Sequence, residues 1–270
     1  MMYFLSLVFF SAVTFAAPPN QGIITAVYDG DTFTLHTGDK IRLRGVNTPE
    51  LRPKEDYGIE ARDFVARFLI QEKVKLHYGS VTKDGYNRLI ASVETEKGDV
   101  GEAILREGLG HIFLIPPEAI DLPVMLKAQE EAKENKRGLW SNPRYHSNLH
   151  ITSFHANGKG NDNAFVNGEY LRVCNISSQP LSLEGYTMTN MKGKKFTLPD
   201  ITIPIGHTVK IFSGYGRHQK NPKKQLEIYL KSRSPIWNNT HDMVRIYSAE
   251  GKLEDERLHK PKTAPRDERP

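Results

Sequence analysis

Hydrophobic and polar residues alternate over several short stretches in the first half of the chain. Residues 23–27, 32–36 and 40–46 predict three strands joined by short turns, and 74–78 and 88–93 predict two more. In the third, Ile41 and Leu43 share one face while Arg42 and Arg44 share the other, because side chains alternate along a strand. A different period appears at 59–70, where Ala61, Phe64, Val65, Phe68 and Leu69 form the stripe of a helix with one buried face. A second helix is predicted over 100–107, stopped by Gly108, and a third from Pro123 to Gly138. Five short strands with three helices among them point to a small closed barrel of the oligonucleotide-binding type.

The texture changes after residue 142. Residues 143–148 are polar and aperiodic, and predict a linker. From 149 to 255, alternating segments such as 169–174, 207–212 and 243–247 are separated by Gly, Pro and Asn turns, with no amphipathic helix, which predicts an immunoglobulin-like β-sandwich. Residues 256–270 are charged and proline-bearing, and read as a disordered tail. The fold class expected is therefore α+β followed by all-β, with the first domain over 17–142. Its patterned core and complete motif set predict that 17–148 folds by itself.

Composition narrows the chemistry. One cysteine, Cys174, in 270 residues excludes an internal disulfide framework and any Cys-rich zinc site. His146, His150 and His155 are spaced unlike a standard zinc site. The net charge of +5 is divided unevenly, −2 over 18–148 and +7 over 149–270. Lys192, Lys194 and Lys195 form one basic cluster, and Arg217, Lys220, Lys223 and Lys224 another, either as solvated faces or as contacts for a polyanion. The first 16 residues have a short apolar core followed by Thr14-Phe15-Ala16, a pattern that predicts a signal peptide and secretion or export to the periplasm or envelope of a bacterial cell. An uncleaved anchor or a buried strand are the alternatives, although the apolar run is shorter than the roughly 20 residues a span needs.

One stretch is at odds with its strand. Asp29-Gly30-Asp31 sits against the alternating Thr32–Leu35, and two carboxylates around a glycine are poor strand material. A tight turn explains the pair. So does a site, once later residues are included: Asn47-Thr48-Pro49-Glu50, and Asp84-Gly85-Tyr86-Asn87-Arg88. Asp31, Asn47 and a backbone carbonyl are hard oxygen donors suited to Ca²⁺. Arg42 and Arg88 are fork-shaped permanent cations suited to phosphate. Glu50 can accept a proton from water or orient that water. Together such groups can hydrolyse a phosphodiester.

Six blocks in order, VYDGDTFTL, IRLRGVNTPE, YGIEARDF, DGYNRLIASV, GEAILREGLG and AQEEAKENKRGLW, resemble the staphylococcal nuclease (thermonuclease) family from Ile23 to Trp140. The resemblance implies Ca²⁺-dependent hydrolysis of DNA and RNA, single strands preferred, to 3′-phosphate products. It implies Asp31 as metal ligand, Asn47 in place of a usual second aspartate, and the Thr48 carbonyl as a further ligand. It makes Glu50 the catalytic glutamate, Arg42 and Arg88 the phosphate-binding arginines, Tyr86 a substrate contact, and Asp29 an acidic neighbour of the metal. Phe113 and Leu114 stand where relatives often carry a base-stacking tyrosine. The second half resembles the lamin-tail family through NGEYLRVCN, LSLEGYTMTN, FTLPDITIPIGHTVKIF and WNNTHDMVRIYSAEGKLED, which implies the sandwich but no catalytic centre. Two rival readings are a nuclease-like barrel that binds nucleic acid without cutting it, and an envelope scaffold whose working part is the sandwich.

Overall fold

The computed structural model describes residues 17–52, 54–158 and 165–259. The predicted signal peptide at 1–16, and the tail from residue 260 onward, lie outside the described residues.

The first domain contains β1 (Gln21–Val27), β2 (Thr32–Leu35), β3 (Lys40–Leu43), β4 (Val46–Asn47), α1 (Gly58–Leu69), β5 (Lys73–Lys83), β6 (Leu89–Thr95), β7 (Gly98–Asp99), α2 (Val100–Arg106), β8 (His111–Ile112) and α3 (Leu122–Glu134). Strands pair in the order β3-β2-β1-β5-β6, and a parallel pairing of β3 with β6 closes the ring, so five strands form the predicted barrel. Its interior is filled by the inward side chains of the alternation: Ile24, Phe33, Leu35, Ile41, Leu43, Ala91 and Val93 are buried. α1 covers one opening with Ala61, Val65 and Leu69, while Phe64 and Phe68 of the same stripe are partly buried against the core. Asp99 caps α2 by accepting the Glu102 N–H at 2.8 Å, and Gly108 ends it with φ +66°, a left-handed conformation that favours glycine. α3 stops at Glu134, four residues before Gly138, and the chain turns through a short 3₁₀ segment at Gly138–Ser141.

The second domain comprises β9 (Leu149–His155), β10 (Tyr170–Asn175), β11 (Leu181–Ser182), β12 (Thr187–Thr189), β13 (Lys195–Thr197), β14 (Thr202–Ile203), β15 (Thr208–Phe212), β16 (Leu226–Tyr229), β17 (Asp242–Tyr247) and β18 (Leu253–His259). Two four-stranded sheets, β16-β15-β10-β9 and β13-β12-β17-β18, enclose a core that includes Val173, Met188, Val209, Ile228, Trp237 and Val244. This is the predicted sandwich.

The tail expectation is corrected at its start. Residues 256–259 belong to β18, which pairs with β17 from Tyr247↔Leu253 to Asp242↔His259. Its run of charge hid the strand because the charges are internally paired. Asp255 is buried and accepts the N–H of Ile151 at 2.7 Å, and Glu254 accepts that of Asn148 at 2.8 Å. The stretch 143–148 is also structured, with a 3₁₀ turn at Pro143–Tyr145.

The two domains share an interior. Ala132, Leu139, Trp140 and Tyr145 pack against Cys174 and Ile176 of the sandwich in one buried cluster. Leu114 joins backbone to backbone across the boundary, donating to the Gly206 carbonyl at 2.7 Å and accepting the Thr208 N–H at 3.1 Å. Arg257 meets Glu55 at 2.8 Å, and Arg144 meets Asp255 at 2.9 Å. Ile112, Leu114 and Trp140 owe their burial partly to this contact, which argues against independent folding of 17–148.

Candidate active site

The Asp29-Gly30-Asp31 loop is both a turn and a wall of a cleft. Tyr28 donates its N–H to the Thr32 carbonyl at 2.8 Å, and the Asp29 carboxylate accepts the Asp31 N–H at 3.1 Å, so the chain reverses. Gly30 is needed for space: a Cβ there would stand 2.7 Å from Thr48 Cγ2 and 2.8 Å from Ala61 Cβ. That close approach lets Asp31 reach the β4 segment. Its Oδ2 accepts the Thr48 N–H at 2.9 Å and the Thr48 hydroxyl at 3.2 Å, while Oδ1 accepts the Thr32 hydroxyl at 3.2 Å.

The arginines come to the same place from different strands. Arg42, outward on β3, lies 3.2 Å from Asp31 Oδ2. Its Nη1 donates to the carbonyls of Leu43 and Val46 at 2.6 and 2.7 Å, and its Nη2 to Asn47 Oδ1 at 3.2 Å. Arg88 enters from the β5–β6 hairpin, where Asp84 accepts the N–H groups of Tyr86 and Arg88 at 2.9 Å each and the Arg88 Nε at 2.7 Å. Burial alone would raise the Asp84 carboxyl, but the hydrogen bonds from Arg88 and Tyr86 hold it below the usual range. Arg88 Nη1 reaches back to Thr32 Oγ1 at 3.3 Å, tying this hairpin to the aspartate loop.

Glu50 stands at the mouth of the cleft. Partial desolvation, then the charges of Asp31, Asp29 and Glu55, push its carboxyl up to about 7. Desolvation and Asp31 likewise push Asp29 up to about 6. The Glu50 N–H is held by Glu55 Oε2 at 2.9 Å, and Glu55 is the carboxylate that Arg257 of the sandwich grips.

Asp29, Asp31, Arg42, Asn47, Glu50, Tyr86 and Arg88 all line one cleft of about 410 Å³. Thr48 lies just behind it, buried, with its carbonyl accepting from Asn47 Nδ2 at 3.4 Å. Tyr86 is exposed, 5.5 Å beneath the Arg88 guanidinium. The opposite wall belongs to the second domain: Thr152, Ser153, His155, Tyr170 and Arg172. The sequence reading named none of these last residues as site residues. Alternation places Tyr170 and Arg172 on one face of β10, but no local signal says what that face meets.

A family model described as staphylococcal nuclease homologue matches residues 40–142, and one described as Lamin Tail Domain matches 142–259. The thermonuclease of Staphylococcus hyicus is 35% identical over 126 residues, which is 44% of this chain and 75% of that enzyme. The chain belongs to the staphylococcal nuclease family. The thermonuclease of Staphylococcus intermedius is 30% identical over 125 residues, 44% of this chain and 74% of the relative. An uncharacterized endonuclease of Escherichia coli O157:H7 is 30% identical over 123 residues, 45% of this chain and 77% of the relative.

Phe113 and Leu114, where the resemblance implied a base-stacking tyrosine, part company in the structure. Phe113 lines the cleft, half-buried, whereas Leu114 is buried and committed to the sandwich backbone. Among the described residues, His146, His150 and His155 belong to no group of three or more His, Cys, Asp or Glu placed to hold a metal ion. His150 is buried, 2.9 Å from Asp255, with its ring 5.5 Å from that of His111.

The donor set suits a hard cation. Asp29, Asp31 and Glu50 crowd one wall; burial and the Asp31 charge make Asp29 and Glu50 harder to ionise, a cost that a bound cation would relieve. Among the described residues no three of His, Cys, Asp and Glu are grouped to hold a metal by themselves. A cation here would therefore rest on Asp31 with the Asn47 amide oxygen, the Thr48 carbonyl and water.

Proposed function

We propose that this protein is an exported, Ca²⁺-dependent nuclease that hydrolyses the phosphodiester bonds of DNA and RNA, single strands preferred, and leaves 3′-phosphate ends. The observation that carries this reading is the convergence of Arg42, Arg88, Glu50 and the Asp29–Asp31 pair on one cleft. The relatives named thermonuclease and endonuclease support a nuclease. The leader-like pattern at 1–16 supports export, and no helix among the described residues is long and apolar enough to cross a membrane.

The residues divide the work by charge and shape. Arg42 and Arg88 present guanidinium forks to the phosphate and stabilise the charge that accumulates as water adds to phosphorus. Both are held by side chains or carbonyls, so little reorganisation is needed when that charge appears. Glu50, with a carboxyl near neutrality, is poised to take or orient a proton of the attacking water. The P–O5′ bond breaks, the 5′ oxygen leaves with a proton, and the phosphate stays on the 3′ side. A bound Ca²⁺ supplies Lewis-acid neutralisation of the phosphate when present.

The test is incubation of the mature protein with single-stranded DNA, with Ca²⁺ and then with chelator, and analysis of the product ends. Cleavage to 3′-phosphate ends only with Ca²⁺ is expected. Binding without cleavage under any divalent metal would support the non-catalytic barrel instead.

A further inference from the structure

The wall of the cleft supplied by the sandwich has its own chemistry. Four rings follow one another across the sheet β9-β10-β15-β16, His155 stacked on Tyr170 and Phe212 stacked on Tyr229. Register places Tyr170 opposite His155 on one side and Phe212 on the other, and Phe212 opposite Tyr229. Ring centroids are 4.3 Å apart for His155 and Tyr170, 5.9 Å for Tyr170 and Phe212, and 4.9 Å for Phe212 and Tyr229. None is fully buried, although the opposite face of the same strands fills the sandwich core.

Two cations accompany the rings. Lys210 Nζ sits 3.6 Å from the Tyr170 centroid and 4.7 Å from that of Phe212. Arg172 is aimed into the cleft and fixed through Nη1 by Thr208 Oγ1 at 3.0 Å and by Gln225 Oε1. Among the described residues neither has an acidic partner within ion-pair distance. Glu227, the nearest acid on this sheet to matter for Lys210, accepts the Tyr229 hydroxyl at 2.8 Å, and Glu118 is the acid that shares the cleft with Arg172. The ladder begins in the cleft, with His155 and Tyr170, and runs away from it across the sheet.

We propose that this sheet face is a binding platform for an unpaired nucleic-acid strand leaving the cleft, with bases stacking on the outer face of His155 and on the Tyr170 face that Lys210 now covers, and phosphates held by Arg172 and by Lys210 once it leaves that ring. The proposal rests on the nuclease reading for its choice of ligand. Rings interleaved with unpaired cations match a strand of alternating bases and phosphates. Unstacked bases have free faces, whereas bases in a duplex are already stacked on one another, so the platform discriminates for single strands. It also places the aromatic surface of the site on the second domain, opposite Tyr86, while Leu114 of the barrel is buried.

The experiment measures anisotropy of a labelled 12-nucleotide single-stranded DNA, a trinucleotide and a 12-base-pair duplex on the full chain in chelator, so that binding is read without cleavage. Cleavage of the same 12-mer with Ca²⁺ is measured separately. Tyr170→Leu is expected to weaken binding of the 12-mer about 5- to 150-fold, the range for one lost base stack, and the trinucleotide less, while Tyr170→Phe keeps wild-type affinity. Arg172→Gln should also reduce the slope of log affinity against log salt by about 0.7. Equal affinity of the Leu and Phe variants for the 12-mer, with unchanged melting temperature, would overturn the platform, as would an equal loss on the duplex. If the wild type binds and the variants lose affinity but nothing is cleaved, the platform stands and the nuclease reading fails. Cleavage by the wild type with unaltered binding by every variant is the reverse result.

Discussion

Acid should loosen this protein at the junction of its domains, through His111. The residue is on β8, paired with Asn47 of the site, and it is 1% exposed. Its Nδ1 lies 2.9 Å from the Ile112 carbonyl, which can only accept, so the ring carries its proton there and leaves Nε2 bare and without a partner. Burial, with the nearby His150, Arg42 and Lys133, lowers its pKa from 6.5 to about 3. The unfolded chain thus takes a proton that the folded chain refuses between these values. Stability is full above pH 6.5 and is lost as pH falls toward 3. At pH 4.5, two units below the free value, the loss from this group is about 3 kcal/mol, at about 1.4 kcal/mol per unit. That is a large share of a typical net stability of about 5–15 kcal/mol. Urea unfolding of the metal-free protein at pH 7 and pH 4.5 gives the wild-type loss, and the same pair of curves on His111→Phe gives the loss without the imidazole. The carboxylates of both proteins titrate alike, so the difference of differences isolates His111. The variant is expected to start about 1 kcal/mol lower at pH 7, for the missing hydrogen bond, and to lose about 2–3 kcal/mol less on acidification. Equal losses in the two proteins would refute the reasoning.

Other perturbations should separate the parts of the site. Arg42→Lys and Arg88→Lys keep the charge and lose the fork, and each should cut the rate by about 10²–10³-fold, measured by initial cleavage rate. A carboxylate in place of the Asn47 amide adds a negative charge beside Asp31, so Asn47→Asp should tighten Ca²⁺ binding in calorimetry while Asp31→Asn nearly abolishes it. Arg257→Ala frees Glu55 and with it the Glu50 backbone, and should lower kcat by about tenfold with little change in KM, short of the ~10²-fold that a full ångström of misplacement costs. A fragment of residues 17–148 should melt well below the full chain and bind an apolar dye, because it uncovers Ile112, Leu114 and Trp140; a melting temperature equal to the full chain's would show that the shared interior is dispensable.

Much of the first domain is legible without coordinates because its determinants are local. Period-two alternation marks Phe33, Leu35, Ile41 and Leu43 as inward, and the 3.6-residue stripe marks the buried face of α1. The site is legible for the same reason: Asp31, Arg42, Asn47 and Glu50 fall within one hairpin and the loop after it, and only Arg88 must be brought from farther away. Even there the sequence left turn and site as rivals, and only the packing of Gly30 against Thr48 and Ala61 shows that one loop serves as both.

What the tertiary structure alone decided is everything that depends on one domain meeting the other. Alternation states that a side chain is on the outer face of a strand, but not what covers that face. Tyr170 and Arg172 have the pattern of ordinary outward residues, and Cys174 and Ile176 that of ordinary core, yet the first pair borders the cleft and the second seals the domains together. The strand at 256–259 was hidden because charge reads as solvent exposure until its partners are known. The grip of Arg257 on Glu55, about 200 residues away in sequence, has no local signature at all. Local pattern encodes burial; long-range pairing encodes what is buried against what, and in this protein the second wall of the site belongs to the latter.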